Sequence, residues 1–176
     1  MKIPRSAFII AAFALFASAF ASAAAKPVKY VFLFIGDGMS IPQRMTAEEL
    51  ARRLQEWSNC LDLPEDEKFY IMTGGGPGIM EAANKGAYKA GGTPVGATIV
   101  IPDEQKRNKY LDRGVWINFN YFLMRKFWLL FFAKALVVFP GGTGTFDEFF
   151  EVFTLMKTRK TRSYIPTVLF LSLIHI

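Results

Sequence analysis

The feature that most constrains this chain is a set of short apolar runs that do not alternate. Residues 30–35 read YVFLFI, residues 69–73 read FYIMT and residues 135–139 read ALVVF. A strand with one face in water alternates polar and apolar positions, whereas a strand covered on both faces is apolar throughout. The stretches between these runs are long enough for helices. The spacing predicts strands at 30–35, 69–73, 95–101, 115–119, 135–139 and 167–171, the third closed by Pro102. It predicts helices at 46–57, from the second glycine-rich turn to 90 (stopped by Gly91-Gly92), at 121–134 and at 145–158, with loops at 59–68 and 103–113. Thr46 and Glu49 are expected to form a capping box at the first helix, and residues 103–113, with seven charges and no apolar period, an exposed loop. This order specifies an α/β fold, a Rossmann-like doubly wound parallel sheet in a single domain. Ligands in such sheets bind beyond the carboxyl ends of the strands.

Composition removes several functions. The 176 residues are 52% apolar and include 18 Phe, too many for a disordered chain. Cys60 has no second cysteine to pair with, and His175 is the only imidazole. A His-built metal site and any Ser-His or Cys-His pair deep in the fold are therefore excluded, and neither metal nor cofactor is expected. The net charge of +6 suits an anionic small molecule and, without a clustered stripe, does not point to nucleic acid. Much of the apolar excess lies at the N-terminus. Lys2 and Arg5 precede an Ala/Phe-rich run from Ala7 to Ala25 that ends in Ala21-Ser22-Ala23, the pattern of a secretory signal peptide over 1–25. A membrane span is the competing reading, disfavoured by the weakly apolar Ala content.

Two strands run into related loops. One is Gly75-Gly76-Pro77-Gly78-Ile79-Met80-Glu81, the other Gly141-Gly142-Thr143-Gly144-Thr145-Phe146-Asp147-Glu148. Each is G-G-x-G followed by a helix with a carboxylate in its opening residues. Missing side chains let backbone N–H groups approach an anion, and a helix start adds partial positive charge. Neither loop is a Walker A motif, because no Gly-Lys-Ser/Thr follows. Glycines also make tight turns in any α/β protein, but two such loops at equivalent places favour a nucleotide or sugar-phosphate site. The candidate phosphate- and substrate-binding residues are Gly75, Gly76, Gly78, Glu81, Gly141, Gly142, Thr143, Gly144 and Thr145.

Thr145-x-x-Glu148 also fits a capping box, so on spacing alone Glu148 can be a structural cap. Phe146, Phe149, Phe150, Phe153 and Met156 follow at helical spacing and are expected in the core. Arg125 and Lys126 interrupt an apolar stretch from Tyr121 to Ala133. Adjacent helical positions point about 100° apart, so one can face inward, where it must find an anion, unless both snorkel to the surface. These two charges also argue against a membrane helix over 121–139.

At these residues the chain resembles the LOG ("Lonely guy") family, long labelled lysine decarboxylases. The resemblance rests on Gly74-Gly75-Gly76-Pro77-Gly78-Ile79-Met80-Glu81-Ala82 and on Pro140-Gly141-Gly142-Thr143-Gly144-Thr145-x-x-Glu148, and spans residues 46–170. It implies a phosphoribohydrolase that cleaves the N-glycosidic bond of a nucleoside 5′-monophosphate, of the AMP or cytokinin type, to a free base and ribose 5-phosphate. It also implies Arg125 and Glu148 as the catalytic pair, no metal, no cofactor and a homodimer, to which the 121–132 segment can contribute. A nucleotide-binding module without turnover is the alternative.

Upstream, Lys29–Met39 is similar to the start of periplasmic alkaline phosphatases, in which the Asp of IGDGM, here Asp37, is a metal ligand. With one His near the C-terminus, this chain lacks the other ligands that such a phosphatase needs. The chain thus reads as a chimera: signal peptide 1–25, phosphatase-like strand and loop 26–45, LOG-like domain 46–170 and an unassigned tail 171–176, with a join between Ile41 and Leu50 and a shortened C-terminus. Asp37 is expected near the phosphate. The leader implies export to the periplasm or beyond, whereas the LOG-like body implies the cytoplasm, where nucleotides are.

Overall fold

The computed structural model describes residues 29–36, 40–100, 107–161 and 164–170. The expected signal peptide, Asp37 and the 171–176 tail lie outside these residues. Six strands form one parallel sheet: β1 (Tyr30–Ile35), β2 (Phe69–Thr73), β3 (Val95–Ile99), β4 (Val115–Phe119), β5 (Ala133–Val138) and β6 (Thr167–Leu169). Four helices connect them: α1 (Ile41–Cys60), α2 (Ile79–Lys89), α3 (Phe122–Phe132) and α4 (Thr143–Lys157). The strand order is β4-β3-β2-β1-β5-β6.

The central strands β1, β2 and β5 each feed two cores. In β1, Val31, Leu33 and Ile35 pack with Leu129 of α3 and Val152 of α4, while Phe34 packs with Ala47 and Ala51 of α1 and Ile79 and Ala83 of α2. Alternate side chains leave a strand on opposite faces, so a strand between two helical layers must be apolar at every position. The chain therefore lays α1 and α2 on one face and α3 and α4 on the other. β1 leads to one layer and its neighbour β5 to the other, which opens a crevice at the carboxyl ends of these two strands.

The first helix differs from its expected start. α1 begins at Ile41, where Gln43 Oε1 accepts the backbone N–H of Ser40 at 3.0 Å and is also in contact with the Ser40 hydroxyl. Thr46 is inside the helix, donating to Pro42 O, and Glu49 pairs with Arg52 and Arg53. The Thr46–Glu49 capping box is thus overturned, because a better cap lies one turn upstream. α1 is unbroken through residues 41–50, where the join was expected. Its Ala47 and Ala51 allow a close crossing with α2, where Gly86 lies directly against the Glu48 carbonyl oxygen.

Segment 103–113 is also not a simple exposed loop. Among its described residues, Lys109–Arg113 form a 3₁₀ turn, Leu111 is fully buried and Asn108 is nearly so. One apolar residue in a charged stretch has no period, and only the packing reveals it. Likewise Phe146, Phe150 and Phe153 are half-exposed and not in the core; only Phe149 and Met156 of that set pack against it.

Candidate active site

A cavity of about 510 Å³ opens at the predicted crevice. Its walls come from the ends of β1 (Ile35, Gly36), β2 (Gly74, Gly75, Gly76) and β3 (Thr98, Ile99), from α3 (Phe122, Arg125, Lys126) and from α4 (Thr143, Gly144, Thr145, Asp147, Glu148), with Met80 and Arg107.

Arg125 Nη2 donates to Glu148 Oε1 at 2.6 Å, and each side chain keeps only 15% of its surface exposed. The adjacent Lys126 pairs with Asp147 (2.7 Å) and Glu151 (3.1 Å). Neither cation simply snorkels, because each faces a carboxylate on α4. Burial pushes the Glu148 carboxyl above the usual glutamate range, and the Arg125 charge offsets part of that rise. Arg125 Nε is buried and has no hydrogen-bond partner among the described residues. Gly74 makes room for this arrangement: a Cβ there would stand 2.9 Å from Met80 Sδ and 3.4 Å from Arg125 Nη2.

The two glycine loops are not equivalent. In the first, Gly75 has φ +80°, its N–H donates to the buried Thr73 hydroxyl, and Asn84 Nδ2 donates to the same oxygen. The Gly75 carbonyl accepts from Asn108 N–H and Nδ2, and the Gly76 carbonyl from Asn108 Nδ2. Pro77 has no N–H. This loop therefore spends most of its polar groups on its own geometry. In the second loop, α4 starts at Thr143, two residues earlier than expected. The Gly142 carbonyl accepts the N–H groups of Thr145 and Phe146, and no side chain caps the helix. The Thr145–Glu148 capping box is overturned, since Glu148 lies in the second turn and turns to Arg125. Among the described residues the N–H groups of Thr143 and Gly144 have no hydrogen-bond partner, both residues line the cavity, and a Cβ at Gly144 would meet nothing within 4 Å.

Of the sequence-predicted residues, Gly75, Gly76, Arg125, Thr143, Gly144, Thr145 and Glu148 meet at this cavity. Gly141 and Gly142 lead into α4 and are off its wall. Gly78 (φ +72°) caps α2. Glu81 lies in a separate hollow of about 330 Å³ with Arg44, Glu48, Lys85 and Tyr110, so it is not part of this site. Sequence reasoning missed Thr98, Phe122, Arg107, Lys126 and Asp147. The Arg125-Lys126 and Asp147-Glu148 dipeptides, opposite in charge on successive helices, were a usable signal for the last two. Among the described residues, no group of three or more His, Cys, Asp or Glu is placed to hold a metal ion, and no helix is long and apolar enough to cross a membrane.

The chain is similar in structure to TM1055, a structural-genomics target solved by X-ray crystallography, with 28% identity, 72% of this chain and 69% of that chain covered, and a TM-score of 0.56. It is also similar to the molybdenum cofactor carrier protein of Chlamydomonas reinhardtii (24% identity, 80% and 76% covered, TM-score 0.58). The molybdenum cofactor binding protein of Rippkaea orientalis shows the same fold (20% identity, 84% and 77% covered, TM-score 0.57). No curated protein sequence gives a significant match. Residues 80–172, just over half of the chain, match the family described as "Possible lysine decarboxylase". With both glycine loops meeting one cavity and a family match across the second of them, the chain belongs to the LOG family, whose fold it shares and whose membership points to a nucleotide-related hydrolase.

Proposed function

We propose that this protein hydrolyses the N-glycosidic bond of a nucleoside 5′-monophosphate, releasing a free base and ribose 5-phosphate. The observation that carries the reading is the buried Arg125–Glu148 pair, at 2.6 Å, beside an uncapped helix N-terminus in one cavity. The N-terminus of α4, with the free N–H groups of Thr143 and Gly144 and the hydroxyls of Thr143 and Thr145, suits the 5′-phosphate. As the bond from C1′ to the base nitrogen breaks, its electron pair leaves with the base and positive charge develops on the sugar. The Glu148 carboxylate stabilises that charge and orients the water whose oxygen bonds to C1′. One water proton ends on the base and the other stays on the new 1′-hydroxyl. Arg125 holds Glu148 through Nη2 and keeps its carboxylate oriented toward the cavity. Release of adenine from AMP by the purified protein tests the reading, with Glu148→Gln and Arg125→Ala as controls. Full activity in both variants would overturn the residue assignment, and nucleotide binding without base release would make the protein a binding module.

The same reading includes a homodimer. Its support is the outer surface of α3 and α4, where Leu123, Phe127, Phe131, Phe146, Phe150 and Phe153 are 45–72% exposed. With Tyr121, Phe122 and Met124, these side chains offer roughly 800 Å², about one partner's share of a standard interface.

A further inference from the structure

Arg107 lines the cavity on the β2–β3 side, away from α4. Sheet order separates β5 from β3 by three strand spacings, about 14 Å. A nucleotide with its phosphate at the α4 N-terminus and its base directed across the sheet toward β3 would bring that base to Arg107.

The Arg107 side chain is held on two sides. Its Nε and Nη2 both donate to Asp112 Oδ1, at 3.1 and 2.5 Å. Its guanidinium carbon lies 3.9 Å from the centroid of the Trp116 ring, a distance at which the guanidinium rests on the indole face. The backbone is fixed as well. Asn108, 6% exposed, is hydrogen-bonded to the Gly75 and Gly76 carbonyls, and Leu111 is buried against Gly75 and Gly96. Asp112 already balances the charge of Arg107 and occupies two of its N–H groups, so the position is poorly suited to a phosphate. What remains on the cavity wall is a flat, delocalised guanidinium backed on one face by an aromatic ring.

Resting on the proposed hydrolase reading, we propose that Arg107, backed by Trp116, is a specificity-determining residue that stacks on the substrate's base and favours purines over pyrimidines. Guanidinium planes stack on nucleobases, and a larger ring system gains more from the contact.

The test is equilibrium binding of AMP, CMP and ribose 5-phosphate to the full-length protein and to Arg107→Ala and Arg107→Lys. Arg107→Ala is expected to weaken AMP roughly 10-fold, from the loss of one base-stacking contact. Ribose 5-phosphate binding stays as in the parent, and the preference for AMP over CMP collapses. Arg107→Lys behaves like Arg107→Ala, because an ammonium keeps the charge and loses the plane. AMP binding unchanged in both variants, or ribose 5-phosphate weakened as much as AMP, overturns the assignment and leaves the hydrolase reading standing. A parent protein that binds neither AMP nor ribose 5-phosphate overturns both. Arg107 is exposed at the cavity rim, so both variants are expected to fold, and unchanged melting temperatures check this.

Discussion

Replacing Arg125 with methionine isolates the electrostatics of the site from its chemistry. The substitution keeps an apolar stem on α3 and removes the cation that pairs with Glu148. Breaking one side of a buried ion pair costs about 3–5 kcal/mol. Both partners keep 15% exposure, and Glu148 can relieve its isolation by taking up a proton, so the lower end, about 3 kcal/mol, is expected at pH 8. With a urea slope of about 1.5 kcal/mol per molar, the unfolding midpoint falls by about 2 M. The loss should shrink at pH 5, and the sign follows from linkage. Burial already raises Glu148 in the folded protein, opposed by Arg125. Without Arg125 the folded-state pKa rises further above the unfolded value. Between the two values the folded variant keeps a proton that the unfolded chain has released, so its stability declines as pH rises through that window. Urea unfolding of parent and variant at pH 5 and pH 8 measures the difference. Arg125→Met combined with Glu148→Gln should recover much of the loss, because no uncompensated charge remains. An equal loss at both pH values, or a double variant as unstable as the sum of the two singles, would refute the reasoning.

Three further outcomes follow from the same structure. If base release follows the proposed mechanism, the acid limb of its profile should lie above the ordinary glutamate range, since that mechanism needs Glu148 ionised and burial raises it; rates measured between pH 4 and 8 place that limb (about 4.3 for a free glutamate). Gly96→Ala puts a methyl group into the Leu111 side chain in the middle of β3 and should cost about 1–3 kcal/mol in chemical unfolding, with partial rescue when Leu111 is shortened to alanine. Phe150→Asp, placed on the half-exposed outer face of α4, should convert the proposed dimer to a monomer in analytical ultracentrifugation, and an unchanged mass would move the interface elsewhere.

Much of the fold was legible because its signals are local. An unbroken apolar run such as 30–35 specifies a doubly covered strand, and glycines after β2 and β5 mark tight turns at strand ends. Caps were less legible, because a Thr-x-x-Glu spacing occurs by chance and only helix geometry decides between starts. Thr46 lost to Ser40 and Gln43 one turn upstream. Glu148 lost its capping role because α4 begins two residues earlier than the motif implied and an arginine lies within reach.

The sequence by itself determined the layered α/β class, the order of the strands' apolar runs, the two glycine turns and the candidacy of Arg125 and Glu148. The first three depend on side-chain period and on residue type at short spacing, whereas the candidacy of Arg125 and Glu148 is what the family resemblance implies. Only the tertiary structure decided that the first glycine loop binds itself through Thr73 and Asn108 while the second leaves its helix start open. It also decided that Glu81 faces a different hollow, and that three phenylalanines of α4 face outward. Arg107, Asp112 and Trp116 converge only when β3 and β4 pair and Leu111 is buried beneath the glycine turn. The physical reason is common to all of these. Hydrogen-bond partners and free surfaces are set by contacts between residues far apart in the chain, and a partner already taken leaves no trace in local sequence.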